Sequence, residues 1–496
     1  MIHTHGLERA RRYYPNRTAF SHDGKRRTFL DLYDRVAGIA GHLVDQGFKR
    51  GDRIALLLPN EDQYLELIYA CAWLGLIAIP LNTRFSAMEI DHVLVDATPH
   101  GIIRHSSLLT PKTAVPWQRV IDLQPLTAGE LPPPAPIYDP EAVLALIYTS
   151  GTTGRPKGVI QTHANILSNI YHLNYWMPYK EGGIYLHAAP IFHILDFPFI
   201  FAAPAFGACQ VTIPKFSPQT FCEAVQREGV THSVLVPTMI NLLVQFEDLK
   251  NYDLHSLELL AYGGSPIAPE LVRRAQEIFP NVKLVQGYGL SETGFLTGLQ
   301  SDEHTNERLM SCGRTCIGVD LQVVDESGLP VDVGQHGELV VRGANVMQGY
   351  WNKPEETKLA FRNEMFRTGD IGFRDGDGYF FILDRLKDMI VTGGENVYSG
   401  EVEAIIYQHP AVKEVAVFGI PDPQWGEIVM ACVVLKPAQV LSADELIAYC
   451  RRSLANYKVP RRIEFLTTEL PKSGSGKILK RQLREQFWVH QERAVS

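Results

Sequence analysis

This chain lacks the features that would place it in several large classes. Its most apolar region, Phe197 to Cys209, is too short for a bilayer span and is interrupted by Pro198 and Pro204. Met1 to Gly6 has none of the apolar core of a secretory signal. The seven cysteines show no disulfide framework, and Cys312 and Cys316 have no second pair to complete a zinc site, so a reducing cytoplasm is expected. There is no long run of one charge: 47 basic and 55 acidic residues give a net charge of −8, which excludes nucleic acid as the main partner. Neither an internal repeat nor a low-complexity segment is present.

Two common nucleotide signatures are also missing. A Walker A loop needs Gly-Lys followed by Ser or Thr, but Lys157 stands between Pro156 and Gly158. The other candidate, Gly476-Lys477, is followed by Ile478. Gly287-Tyr288-Gly289 has Glu292 where the third glycine of a Rossmann fingerprint belongs.

What is present is a globular composition, 45% apolar and 21% charged, on a chain of 496 residues. Single cores stop growing at about 250–300 residues, so more than one domain is expected. Thr28 to Gln46 has helical periodicity, Arg53 to Leu58 reads as a strand, Asp62 to Leu74 as a helix and Ile77 to Pro80 as a strand. This rhythm continues over 141–300 and predicts α/β layers with largely parallel sheets. Beyond about residue 315, short glycine-bounded segments (Leu321–Val324, Gly337–Arg342, Tyr379–Leu383) predict a small antiparallel β subdomain. Past Asp384 the mixed pattern returns over a length that suits a second compact domain.

Six segments carry the chemistry. Tyr148-Thr149-Ser150-Gly151-Thr152-Thr153-Gly154-Arg155-Pro156-Lys157 follows the apolar run Ala142 to Ile147. Its hydroxyls, its glycines and a mobile lysine suit a polyphosphate, although the same residue types also build surface turns. Tyr262-Gly263-Gly264-Ser265-Pro266 follows a strand and could lie flat against a planar base. In Gln286-Gly287-Tyr288-Gly289-Leu290-Ser291-Glu292, the tyrosine could stack on adenine and the carboxylate could hold Mg²⁺. Arg367-Thr368-Gly369-Asp370 sets a carboxylate beside a turn, suited to ribose hydroxyls. Asp384-Arg385-Leu386-Lys387-Asp388 is a charged cluster ahead of Gly393-Gly394-Glu395. Pro471 to Ile478 places Lys477 on a glycine-rich loop, from which its ammonium could neutralise charge developing at phosphorus.

In order and spacing these segments resemble the adenylate-forming superfamily of acyl-CoA synthetases, firefly luciferases and peptide-synthetase adenylation domains. The likeness runs from about residue 8 to 486 and is greatest to fatty-acyl and aryl acyl-CoA synthetases, as in Phe366 to Asp370 and Asp384 to Val397. It implies an α/β fold with a large N-terminal domain (1–386) of two α/β subdomains plus a β subdomain. A small mobile α+β domain (387–496) would follow, with its hinge at Lys387. It also implies roles for individual residues. Thr149 to Lys157 would clasp the β- and γ-phosphates, and Gly263 to Pro266 with Gln286 to Gly289 would frame adenine. Glu292 and Thr149 would ligate Mg²⁺, and Asp370 and Arg385 would hold the ribose. Lys477 would be the adenylation lysine, and Gly393, Gly394 and Glu395 would line the pantetheine tunnel. Ser291 stands where threonine is usual. His193, Tyr262 and Gly287 would line the acyl pocket.

The implied reaction joins a carboxylate to coenzyme A with ATP and Mg²⁺, releasing AMP and pyrophosphate. A carboxylate is a poor electrophile, and transfer to AMP supplies it with a leaving group. The apolar Ile191 to Phe201 favours a fatty or aromatic acid over malonate, with Asp196 either meeting a polar substituent or serving as a helix cap. Peripheral membrane contact stays open. The competing readings are an adenylation enzyme that loads a separate carrier protein, a luciferase-like oxidase and a catalytically dead nucleotide sensor. Val391 stands where luciferases use a further lysine, while the presence of Lys157, Glu292 and Lys477 argues against the sensor.

Overall fold

A computed structural model of the chain describes residues 4–108, 120–122, 135–136, 139–149, 156–472 and 478–488. Two sheets organise the larger part. A six-stranded sheet runs in the order Val120–Asp122, Gly101–Arg104, Arg53–Leu57, Ile77–Pro80, Val143–Thr149, Lys157–Thr162. Its strands are parallel except for the last pair, which forms an antiparallel hairpin.

The second, fourteen-stranded sheet contains a parallel block of Cys209–Thr212, Ile184–His187, His232–Leu235, Leu259–Gly263 and Lys283–Leu290. Beyond Gly294–Leu299 the pairing becomes antiparallel. The expected β subdomain is there, but it is not detached. Ser311–Thr315 bonds to Gly294–Leu299 on one side and to Phe380–Arg385 on the other, so hydrogen bonding is continuous between the two parts. Sequence periodicity reports how a strand alternates, not which strand it pairs with, so this continuity could not be read from it.

The sequence reading placed the early elements closely. Helix Phe29–Asp45 starts from Thr28, whose hydroxyl accepts from the Asp31 N–H while the Asp31 carboxylate answers the Thr28 N–H, a reciprocal cap. Helix Asp62–Leu74 is buried at every position from Tyr64 to Leu74 and ends at Gly75, in the left-handed region at φ 66°. A helix buried all round has core on every side; this one packs in a cluster with Leu32, Ile54, Leu144, Ile166 and Phe201, and its one buried charge, Glu66, is paired with Arg27 and Arg35.

The remainder builds a separate five-stranded sheet from Ile390–Thr392, Glu395–Val397, Val412–Asp422, Gly426–Leu435 and Arg462–Leu466. Alternation along Val412–Asp422 sends Val415 and Val417 into one cluster with Val402 and Leu446. Ala416, Phe418 and Ile420 go into another with Leu483 and Phe487. No helix among the described residues is long and apolar enough to cross a membrane.

Candidate functional site

Strand Met365–Arg374 carries Asp370. The sequence suggested a turn here. The structure instead keeps the strand running through Gly369 at φ 69°, a left-handed residue inside a ladder, with the register slipping between Ile371 and Gly372. The kink faces Asp370 towards Arg385, its partner on Phe380–Arg385. Arg385 Nε lies 2.7 Å from Asp370 Oδ1, and the Tyr288 hydroxyl donates to Oδ2 at 2.6 Å. Burial and the adjacent Asp370 charge push the Tyr288 phenol well above its ordinary range, so it stays a donor. Tyr288 was expected to stack on a base. Its ring packs with Val159, Leu296 and Phe380, and its hydroxyl fixes the carboxylate assigned to ribose.

Thr149 ends one strand of the hairpin and lies in register with Lys157 on the other. Ser150, Gly151, Thr152, Thr153 and Gly154 lie outside the described residues. Three interactions bring this hairpin to the rest of the site. Gln161 Nε2 donates to the Ser291 carbonyl at 2.7 Å. The Ile160 N–H donates to Gly349 O at 3.0 Å, and the Trp351 N–H donates to Gly158 O at 2.8 Å. Segment 343–351 is pinned in turn, since the Met347 N–H donates to Glu292 O at 2.7 Å and Asn345 Nδ2 donates to Thr293 O at 2.8 Å.

Tyr350 therefore stands between two charges. Its hydroxyl donates to Glu292 Oε1 at 2.9 Å, while the Lys157 ammonium lies 5.3 Å from its ring centroid. Lys157 also pairs with Glu356. Among the described residues no cluster of three His, Cys, Asp or Glu could cage a metal, and the Tyr350 hydroxyl takes Glu292 Oε1. A single carboxylate fits Mg²⁺, which keeps several waters and takes its remaining ligands from phosphates.

At the end of Leu259–Gly263, Tyr262 is buried and its neighbour Gly263 lies in register with Gly287. A Cβ on Gly263 would strike the Gly287 carbonyl, and Gly264 sits at φ +82°, so both positions need glycine. Ser265 and Pro266 continue into the loop before helix Pro269–Ile278. His304 Nδ1 donates to Gln300 O at 2.7 Å, which leaves Nε2 to accept from the Tyr262 hydroxyl at 2.8 Å. Burial lowers the His304 pKa, favouring that neutral tautomer. Gln286 Oε1 lies 3.3 Å from the same hydroxyl.

His193 lies in the turn segment after strand Ile184–His187. Asn60, in the loop after strand Arg53–Leu57 of the other sheet, holds this segment. Its Nδ2 donates to Ala189 O at 2.7 Å and its Oδ1 accepts from the Ile191 N–H at 3.0 Å. Asp196 is neither a substrate contact nor a cap. It is fully buried, accepting from the Tyr185 hydroxyl at 2.5 Å and lying 2.7 Å from His187 Nδ1.

Lys387 lies in the turn that follows Phe380–Arg385, where burial holds its ammonium below the ordinary lysine range. Gly393, Gly394 and Glu395 are exposed. Lys477 is outside the described residues, but the residues flanking its loop pair, Lys472 with Ile478. Helix Lys480–Glu485 follows immediately. Sequence reasoning missed Tyr350, Glu356, His304 and Asn60. Each acts on a partner tens of residues away or more, at no fixed spacing.

The AMP-binding enzyme family model matches residues 7–351, and the AMP-binding enzyme C-terminal domain model matches 401–477. A feruloyl-CoA synthase from Amycolatopsis sp is 38% identical over 483 residues, covering 97% of this chain and 98% of that protein. The long-chain-fatty-acid–CoA ligase FadD13 of Mycobacterium tuberculosis is 34% identical over 474 residues, 93% of each chain. Among solved structures, o-succinylbenzoate CoA synthetase (MenE) from Bacillus subtilis, in complex with its acyl-adenylate intermediate, superposes with a TM-score of 0.89 at 31% identity over 99% of both chains. The same enzyme has been solved with ATP and magnesium ion, with a TM-score of 0.88 over 96% of this chain and 98% of that one.

Proposed function

The chain belongs to the AMP-binding enzyme family and is an AMP-forming acid–thiol ligase that uses ATP, Mg²⁺ and coenzyme A; on that premise we propose that its acid is an aromatic carboxylate with a polar ring substituent. The observation that carries the substrate reading is the buried Tyr262–His304 pair with Gln286 beside it, next to the glycines assigned to adenine. The pair satisfies itself, but the phenol oxygen can still accept and the Gln286 amide can still donate, so a substrate hydroxyl has partners here. A simple fatty acid offers nothing to this end of the site. The feruloyl-CoA synthase likeness points the same way.

In the first half-reaction an acid oxygen attacks the α-phosphorus and pyrophosphate leaves. In the second the thiol displaces AMP from the acyl carbon. Asp370, oriented by Arg385 and Tyr288, holds the ribose. The Thr149–Lys157 hairpin holds the terminal phosphates, with Lys157 exchanging Glu356 for phosphate. Glu292 and Thr149 would bind Mg²⁺, which supplies charge neutralisation on the phosphates. Lys477 stabilises charge at the α-phosphorus. Residues 1–386 and 387–496 act as two domains about Lys387, so the lysine loop and the Gly393 loop alternate at one carbonyl. Seven free, buried cysteines suit a reducing cytoplasm. Free coenzyme A rather than a carrier protein is the acceptor.

The test is pyrophosphate release over a panel of hydroxylated and unsubstituted cinnamates, benzoates and fatty acids, followed by thioester analysis with free coenzyme A. A kcat/KM favouring a saturated fatty acid over every hydroxyaryl acid would overturn the substrate reading. Adenylation without any CoA thioester would overturn the acceptor.

A further inference from the structure

A group of charges not used by the reaction above bridges the hinge turn. Asp384 lies on Phe380–Arg385, one residue before Arg385 and three before Lys387. Its Oδ2 accepts from the Ser399 N–H at 2.5 Å, and its Oδ1 accepts from the Arg385 N–H at 2.8 Å. Ser399 opens helix Ser399–Tyr407, whose N-cap residue is Tyr398 and which has no side-chain cap of its own. A helix start needs acceptors for its first N–H groups and favours negative charge. Here the strand before the hinge supplies both to a helix after it.

The other half of the group comes from the helix that follows the Lys477 loop. Lys480 Nζ donates to Ser399 Oγ at 2.6 Å and lies 2.8 Å from Glu403 Oε1, which also accepts from the Val417 N–H at 2.7 Å. The Asp384 and Asp388 charges act on the same ammonium. One turn further along, Arg484 donates to Lys387 O at 3.3 Å and lies 3.4 Å from Asp388 Oδ1. The ribose carboxylate, its arginine, the hinge turn and the base of the lysine loop are thus joined through Asp384, Ser399 and Lys480.

We propose that Asp384, closed on the Ser399 N–H with the Lys480 ammonium behind Ser399, is a latch across the hinge that holds the C-terminal domain for adenylation and must open before thioester formation. The inference rests on the reading that Lys387 is the hinge. Asp384 stays with the nucleotide when the domain turns, whereas Ser399, Glu403 and Lys480 leave with it. The glycine loop assigned to pantetheine faces solvent in this arrangement, with Gly393, Gly394 and Glu395 exposed, so the latched state precedes the thiol step. Removing one partner of this half-buried charge group leaves the others less well compensated, which biases the domain away from this state. Asp384 and Lys480 are positioning residues, acting through the placement of Lys477.

The test compares the half-reactions in the full chain, using 4-hydroxycinnamate or whichever acid of the panel turns over. Adenylation is read by ATP–pyrophosphate exchange, and thioester formation by adding coenzyme A to the supplied acyl-adenylate. Asp384→Asn keeps an acceptor for the Ser399 N–H but removes the charge, and Lys480→Met removes the ammonium. Each should slow adenylation by about tenfold while thioester formation stays within about twofold or rises. Lys480→Arg should recover most of the loss. Should Lys480→Met fail to fold, Asp384→Asn with an unchanged Tm decides alone; equal loss of both half-reactions, or of neither, overturns the latch. Lys387→Pro is the control for the premise. If it does not separate the half-reactions the hinge reading fails, and if it does while Asp384→Asn does not, only the latch fails.

Discussion

Replacing Tyr288 with phenylalanine separates two roles that one side chain could play. If the ring acts by stacking on adenine, phenylalanine keeps the function. If the hydroxyl orients Asp370, the change is costly, because the 2.6 Å bond to Oδ2 is lost while Arg385 still holds Oδ1 at 2.7 Å. The Asp370 side chain is only 3% exposed, so water cannot easily replace the donor. A hydrogen bond to a charged group is worth about 1.5–3 kcal/mol, and part of that loss falls on folding rather than binding. Taking about 1–2 kcal/mol for the nucleotide predicts an ATP KM raised about 5- to 30-fold, with the KM for coenzyme A unchanged. The assay is pyrophosphate release at saturating acid, repeated with 2′-deoxy- and 3′-deoxy-ATP. Because the hydroxyl acts through the ribose, its loss should matter less once the ribose contact is already gone, the coupling a double-mutant cycle detects. An ATP KM within about twofold of the parent in a folded variant would refute the reasoning, as would an equal loss with all three nucleotides.

Further expectations are independent of that one. Lys477→Ala should abolish most adenylation yet spare thioester formation from a supplied acyl-adenylate, and equal loss of both would contradict its assigned role. Asn60→Ala should raise the KM for the acid, with ATP KM unchanged, because it frees the turn that carries His193; the two unsatisfied backbone groups should also lower stability by about 1–3 kcal/mol, measurable in urea. His163, at the start of helix His163–Trp176, has its pKa pushed by burial from 6.5 down to about 4. Below pH 6.5 the unfolded chain takes up this proton and the folded chain does not, so stability is full above that pH and falls towards pH 4, by at most roughly 3 kcal/mol. His163→Gln should flatten that part of a urea-stability profile, and a parallel profile would count against the assignment.

Local signals were legible in the sequence; pairings between distant segments were not. Helix Asp62–Leu74 and strand Ile77–Pro80 fall where apolar spacing placed them. The motifs around Tyr262, Tyr288, Asp370 and Arg385 do meet at one end of the large sheet. Their partners were invisible because those contacts span the chain. Glu292 meets Tyr350 across 58 residues, and Lys480 meets Ser399 across 81. Asp196 is a nearer case, with partners only 9 and 11 residues back but at no repeating spacing. A buried carboxylate in an apolar segment reads as an anomaly until His187 and Tyr185, on a neighbouring strand, are seen to satisfy it. Gly369 was taken for a turn because Thr-Gly-Asp has turn chemistry, whereas a single left-handed residue within a ladder gives the same local sequence.

Tyr350 has a consequence for how such an enzyme can diverge. One ring serves the carboxylate assigned to the cation and the lysine assigned to the terminal phosphates, so drift at this position alters metal requirement and nucleotide affinity together. The acid end depends on a separate set, with Tyr262 held by His304 and the His193 turn held by Asn60. Substitutions among Tyr262, His304 and Asn60 can therefore change the acid end without touching the contacts of Tyr350.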